Sequence, residues 1–197
     1  MSHLSAQESW RTFIAIELPT NVRAQIARHI QGLRQQIPDV RASWVREENL
    51  HLTLKFLGDV PVDDIQKLST AAASAAAVID PFAFSIVGCG TFPPHGQPKI
   101  LWIGIEDEQP VIHLQQRLEN ECAGLGFARE PRQFHPHLTI ARVRSPKESR
   151  QLAQLHKDAT FPSQLVSVSD VVIFRSELSS KGSKHTATSR HPLRPRG

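Results

Sequence analysis

The chain has 197 residues, a formal net charge of +4, 40% hydrophobic and 21% charged residues, ten His, two Cys and no Tyr. That length excludes a large multidomain machine and fits one domain or two small lobes on a shared core. The composition excludes disordered, collagenous and membrane classes, and the N-terminal residues lack the basic start and apolar run of a signal peptide, so a cytoplasmic location is expected.

Arg11 to Leu18 is an apolar, β-branched stretch that predicts a strand ending at Pro19. Val22, Ile26, Ile30, Leu33 and Ile37 recur at helical spacing, with Thr20 or Asn21 as cap and Pro38 as stop. A short strand is predicted at Arg41 to Val45. Leu50 to Leu57 then alternates, which puts His51, Thr53 and Lys55 on the face opposite Leu52 and Leu54 until Gly58-Asp59 breaks the strand. Pro61 to Ile79 reads as a helix rich in alanine. Phe82 to Val87 and Lys99 to Ile105 are strands around a Gly/Pro loop from Gly88 to Pro98, and Pro110 to Leu125 is a helix. Phe134 to Val143 is a strand with His137 and Thr139 on one face. Ser145-Pro146-Lys147-Glu148 is a capping box that opens a helix to about His156. Leu165 to Arg175 and Lys184 to His191 close the chain as strands around the turn Ser179-Ser180-Lys181-Gly182.

Laid side by side, the two halves repeat. Strand, helix, short extended piece, His-x-Thr strand, helix, strand runs from Arg11 and again from Lys99, with 86 residues between the His-x-Thr motifs. This order predicts an internal duplication, two small α+β lobes related by an approximate twofold, with halves roughly 11–98 and 99–193 of a single two-lobed domain spanning residues 1–197. The first 98 residues hold 8 basic and 9 acidic side chains and the remainder 15 and 10, so the second half carries the positive charge and favours an anionic partner such as RNA. Cys89 and Cys122 have no metal or redox spacing and read as two small buried thiols.

The chemistry sits in His51-Leu52-Thr53-Leu54 and His137-Leu138-Thr139-Ile140. On a strand, residues two apart point the same way about 6.5–7 Å apart, so each motif turns one imidazole and one hydroxyl toward a common cavity. Two such strands face to face set imidazoles on opposite sides of a small tetrahedral anion. That suits in-line phosphoryl transfer, in which one group takes a proton from the attacking oxygen and the other gives one to the leaving oxygen. An unperturbed imidazole pKa of about 6.5 allows either role. Thr53 and Thr139 can donate hydrogen bonds to the non-bridging oxygens, and no cofactor or metal is needed. Arg142, nominally on the other strand face, is a third candidate phosphate-binding residue, turned toward the cleft by a bulge or strand end. Lys55 shares the His51 face, and Trp44, Phe92 and Trp102 are candidates for stacking a base. Two other readings use the same residues: a zinc-dependent hydrolase on His51, His135 and His137, and a non-catalytic RNA-binding module.

The sequence resembles the two-histidine phosphoesterases, and within them the RNA 2′,3′-cyclic phosphodiesterases, also called 2′-5′ RNA ligases. The resemblance spans nearly the whole chain. It runs from Arg11-Thr12-Phe13-Ile14-Ala15-Ile16, through Trp44-Val45 and Asn49 to Gly58 with its first motif, and through Phe92-Pro93 and Leu101-Trp102 to His135 and Arg142. It ends with Ser176-Glu177-Leu178 and Pro192-Leu193. His185 stands where the family usually has Tyr. The resemblance implies a bilobal α+β fold with two antiparallel sheets facing a central cleft and helices packed outside. It implies hydrolysis of an RNA 3′-terminal 2′,3′-cyclic phosphate, or of a small cyclic nucleotide, to a 2′-phosphate by a monomer away from membranes. It also implies His51 as proton donor, His137 as proton acceptor, and 2′-5′ ligation as the reverse chemistry.

Overall fold

A computed structural model describes residues 8–144, 146–180 and 182–194. In chain order the elements are β1 (Ser9–Glu17), α1 (Thr20–Gln36), β2 (Ala42–Trp44), β3 (His51–Pro61), α2 (Ile65–Ala76), β4 (Phe82–Phe92), β5 (Ile100–Glu106), α3 (Gln109–Gly124), β6 (Leu138–Val143), α4 (Pro146–Asp158), β7 (Gln164–Val168), β8 (Asp170–Ser179) and β9 (Gly182–Pro192). They form two sheets, of order β3-β1-β8-β9 and β2-β6-β5-β4-β7, with every pairing antiparallel. This is the expected α+β architecture.

Each sheet draws strands from both halves of the chain. β8 pairs with β1, and β4 with β5 and β7, so neither sheet is built from one half of the chain alone. The apolar run at β1 is buried on both faces for this reason. Ile14 and Ile16 join the main core, while Phe13 and Ala15 join Val172 and Phe174 in a small cluster beneath the cleft. Val22, Ile26, Ile30 and Leu33 form the buried face of α1, as their spacing predicts. On α2 the buried side chains are Leu68 and four alanines, and these small residues let α3 approach closely. Each fully buried Leu or Ile contributes about 1.5–3 kcal/mol relative to its exposed state.

Several boundaries differ from those the sequence suggests. Gly58 and Gly88 do not end their strands. With φ of 74° and 73° they sit at register shifts, so β3 continues to Pro61 and β4 to Phe92. A glycine in the left-handed region absorbs the extra residue of a bulge as readily as it makes a turn. β6 starts only at Leu138, because Pro136 lacks the N–H that pairing needs. The stretch from Leu165 is two strands, divided at Ser169 where the chain passes from one sheet to the other. α1 begins at Thr20 with Pro19 in the cap position and no side-chain cap, and a 3-10 turn at Val62–Asp64 precedes α2. Ser145 of the predicted capping box lies outside the described residues, as does Lys181 of the last turn.

Candidate active site

Between the two sheets lies a cavity of about 730 Å³ whose walls include His51, Thr53, His137, Thr139 and Arg142. His51 is the first residue of β3, and His137 immediately precedes β6. The Nδ1–H of His51 donates to the Asn49 carbonyl at 2.8 Å. The Nδ1–H of His137 donates to the His135 carbonyl at 2.7 Å. A carbonyl only accepts, so both rings keep their proton on Nδ1 when neutral, and Nε2 is left to exchange a proton with a bound molecule. Asn49 is itself buried and anchored, its side-chain amide donating to the Ser183 carbonyl of β9.

The environments of the two imidazoles differ. His51 stacks on Phe13 at 4.6 Å between centroids, and His185 meets it edge-on at 5.3 Å. Burial first, and His185 second, push its pKa down to about 4, against the opposing pull of the Asn49 carbonyl. His137 has Phe92 at 5.0 Å and Trp102 at 6.5 Å, both at steep angles. Burial lowers its pKa as well, and Arg142 adds a smaller push in the same direction. The Trp102 ring lies over Gly90, where a Cβ would fall 2.1 Å from the indole. Only glycine leaves the indole room to support His137.

One bulge in each motif decides what else reaches the cavity. On β3, Thr53 pairs with Ala15 and Lys55 with Ile14, so Leu54 is the extra residue. On β6, Thr139 pairs with Trp102 and Ala141 with Leu101, so Ile140 is the extra residue. The bulges lie 86 residues apart and reverse the side-chain alternation beyond them. Arg142 therefore returns to the Thr139 face and lines the cavity. Lys55 leaves the His51 face, contrary to the period-two expectation, and pairs with Glu119 inside the protein. Phe56, the counterpart of Arg142, stands in the cavity wall at 47% exposure with the Arg11 guanidinium over its ring.

Of the aromatic candidates, Trp44 lines the cavity, while Phe92 and Trp102 pack against His137. Arg11, Arg46, Arg144 and His185 also line it. These four were not identifiable from spacing; only the pairing of β8 with β9, which sets Ser176 opposite His185, places the last of them. Among the described residues, His51, His135 and His137 do not bring their ring nitrogens together as a metal-binding group. His135 is exposed and contributes its backbone carbonyl.

A family profile described as the 2′-5′ RNA ligase superfamily matches residues 22–179. The chain belongs to that superfamily. Among its superfamily relatives, the RNA 2′,3′-cyclic phosphodiesterase of Methanothermobacter thermautotrophicus is 33% identical over 177 residues, covering 89% of this chain and 95% of that one. The protein of the same name from Thermotoga maritima is 34% identical over 87% of this chain and 89% of its own length. A third, from Geobacillus stearothermophilus, is 33% identical over 92% of this chain, which spans 56% of that longer relative. Among solved structures, TT0787 of Thermus thermophilus superimposes with a TM-score of 0.77 at 26% identity, over 95% of this chain and all of that one. E. coli LigT complexed with 3′-AMP superimposes with a TM-score of 0.74 at 26% identity, over 94% of this chain and 99% of that one. No helix among the described residues of this superfamily member is long and apolar enough to cross a membrane.

Proposed function

We propose that this protein hydrolyses RNA 3′-terminal 2′,3′-cyclic phosphates to 2′-phosphates, with His51 and His137 as a metal-independent acid–base pair. The observation that carries the reading is the matched pair of imidazoles, one at the start of β3 and one just before β6. Each is fixed through Nδ1 to the carbonyl two residues before it, has a threonine beside it, and lines one arginine-bearing cavity. His137 takes a proton from water as the water oxygen bonds to phosphorus. The bond from phosphorus to the 3′-oxygen breaks, and His51 delivers a proton to that oxygen. Thr53, Thr139 and Arg142 donate hydrogen bonds to the non-bridging oxygens and hold the charge that builds on them. Phe56 and Trp44 present flat faces for a terminal base. In the opposite direction the same bond chemistry joins RNA ends through a 2′-5′ linkage, with the histidines exchanging roles.

The names of the relatives, RNA 2′,3′-cyclic phosphodiesterase, support the substrate class. The single domain, the duplication and action as a cytoplasmic monomer belong to the same proposal. The test is turnover of a short RNA ending in 2′,3′-cyclic phosphate, with a chelator present, by the wild type and by His51→Ala and His137→Ala. The wild type is expected to yield the 2′-monophosphate. Each variant should lose about 10²–10⁴-fold in rate, the usual contribution of one positioned proton-transfer group. Wild-type rates in either variant, or recovery of the RNA unchanged as from a pure binding module, would overturn the proposal.

A further inference from the structure

Outside the cleft, the helix-covered face of the five-stranded sheet gathers three potential metal ligands from three elements. His29 is on α1, Cys89 on β4 and His156 on α4. Their donor atoms all lie within 4.8 Å of one another, and none of the three residues lines the catalytic cavity. The bulge at Gly88 sets the register at which Cys89 joins them.

We propose that His29, Cys89 and His156 form a binding site for a borderline-soft divalent cation, Zn²⁺, that pins α1 and α4 to β4. Two of the three ligand spacings are already close to those of a tetrahedral zinc site. Zinc bonds of about 2.0–2.1 Å to nitrogen and 2.3 Å to sulfur place two nitrogens roughly 3.3 Å apart and nitrogen and sulfur roughly 3.6 Å apart. Here His29 Nε2 and His156 Nδ1 are 3.0 Å apart, and Cys89 Sγ is 4.0 Å from His29 Nε2. Shifts of a few tenths of an ångström reconcile these two distances, and the third, between Cys89 Sγ and His156 Nδ1, lies within 4.8 Å and closes toward roughly 3.6 Å as the ion draws the ligands in.

The surroundings fit as well as the spacing. His156 is fully buried, and its Nε2–H donates to the Trp102 carbonyl at 2.9 Å. That bond fixes the tautomer with a bare Nδ1 facing the site, the arrangement in which a backbone carbonyl orients a metal-bound histidine. His29 then donates its Nε2–H to His156 Nδ1 without an ion, and moves that proton to Nδ1 when an ion binds. Burial holds both imidazoles toward the neutral form that binds metal. The Cys89 thiol bonds to the ion through sulfur and releases its proton to solvent. His29 and Cys89 are half-buried, which leaves a path for the ion and a fourth, water ligand.

Co²⁺ is the probe, since a thiolate ligand gives it a charge-transfer absorption that oxygen and nitrogen ligands do not. Titration of the metal-free protein should give that band at one equivalent, with displacement by Zn²⁺ and a rise in melting temperature on Zn²⁺ addition. Cys89→Ser should abolish the band. His29→Ala should weaken Co²⁺ binding by about 100-fold or more, beyond what loss of an outer-shell partner costs. Both variants leave the buried His156 in place and should hydrolyse the cyclic phosphate at wild-type rates. The double variant His51→Ala/His137→Ala should keep the band, which separates this site from the cleft and from the fate of the catalytic proposal. No thiolate band in the wild type, an unchanged band in Cys89→Ser, or loss of the band in the double variant would each overturn the site.

Discussion

An imidazole whose Nδ1–H donates to a backbone carbonyl has one nitrogen left for chemistry, and how readily that nitrogen is protonated depends on the water around it. His51, on an aromatic floor, is held to about 4; His137 is lowered too. The form that the proposed mechanism requires carries one Nε2 proton shared by the pair. In the free protein this form exists above pH of about 4 and is lost as the His137 proton leaves below 6.5. A bound phosphate anion favours both imidazolium forms, by about one pH unit or more for a charge within contact distance. The expected outcome is a bell-shaped kcat/KM profile with its maximum on the acid side of 6.5, and a kcat profile displaced to higher pH. The two limbs belong to the pair and not to either residue. Rates measured across the range check this, and superimposed profiles would remove the role given to the substrate's charge. The motif residues themselves were legible because two His-x-Thr strings are improbable without a shared task. The tuning was not, because Phe13, Phe174 and His185 reach His51 only through strand pairing.

At the scale of elements, the two bulges separate what periodicity could say from what it could not. Alternation is a property of a regular strand, and one extra residue inverts it. Nothing in the local sequence marks Leu54 or Ile140 as the extra residue, so Lys55 read as a cleft residue, and Arg142 could be counted as a phosphate ligand only by supposing a bulge that alternation does not show. The helix faces were legible because α1 and α3 keep their period over four turns. Moved to the core, Lys55 becomes structural. It is 3% exposed and donates to Glu119 Oε2 at 2.9 Å and to the Ala128 carbonyl at 2.8 Å. Glu119, 8% exposed, also accepts from Gln115 and the Glu130 backbone. Lys55→Met strands that carboxylate and should cost about 3–5 kcal/mol of stability. Lys55→Met/Glu119→Leu should recover most of it, since an apolar pair of similar volume carries no desolvation penalty. Urea unfolding of the three proteins measures this, and a single variant within about 0.5 kcal/mol of wild type would show that the pair does not hold β3 to α3.

At the scale of the molecule, the excess positive charge of the second half is less informative than where the arginines meet. Arg142 and Arg144 come from that half and Arg11 and Arg46 from the first, yet all four line the one cavity, and no Asp or Glu lines it among the described residues. Composition could report the imbalance; only the meeting of β1, β2 and β6 at the cleft turns it into a local field. Arg46 is partly offset by Glu48 at 3.5 Å, and Arg11 is engaged with Phe56. A cyclic mononucleotide offers one phosphate, for which Arg142 beside Thr139 suffices. A short RNA offers several, and each contact with a single strand contributes about −0.7 to the slope of log affinity against log salt. Substrate affinity for an RNA of several nucleotides should therefore fall with a slope between about −2 and −3, and that for the cyclic mononucleotide with a slope near about −0.7. Arg46→Ala should make the RNA slope shallower by roughly one contact and leave the mononucleotide slope unchanged, because Arg46 belongs to the rim and not to the Thr139 strand. Equal slopes for the two substrates would mean that the arginine rim does not track an RNA backbone, and that a small cyclic phosphate is what the cleft is built to hold.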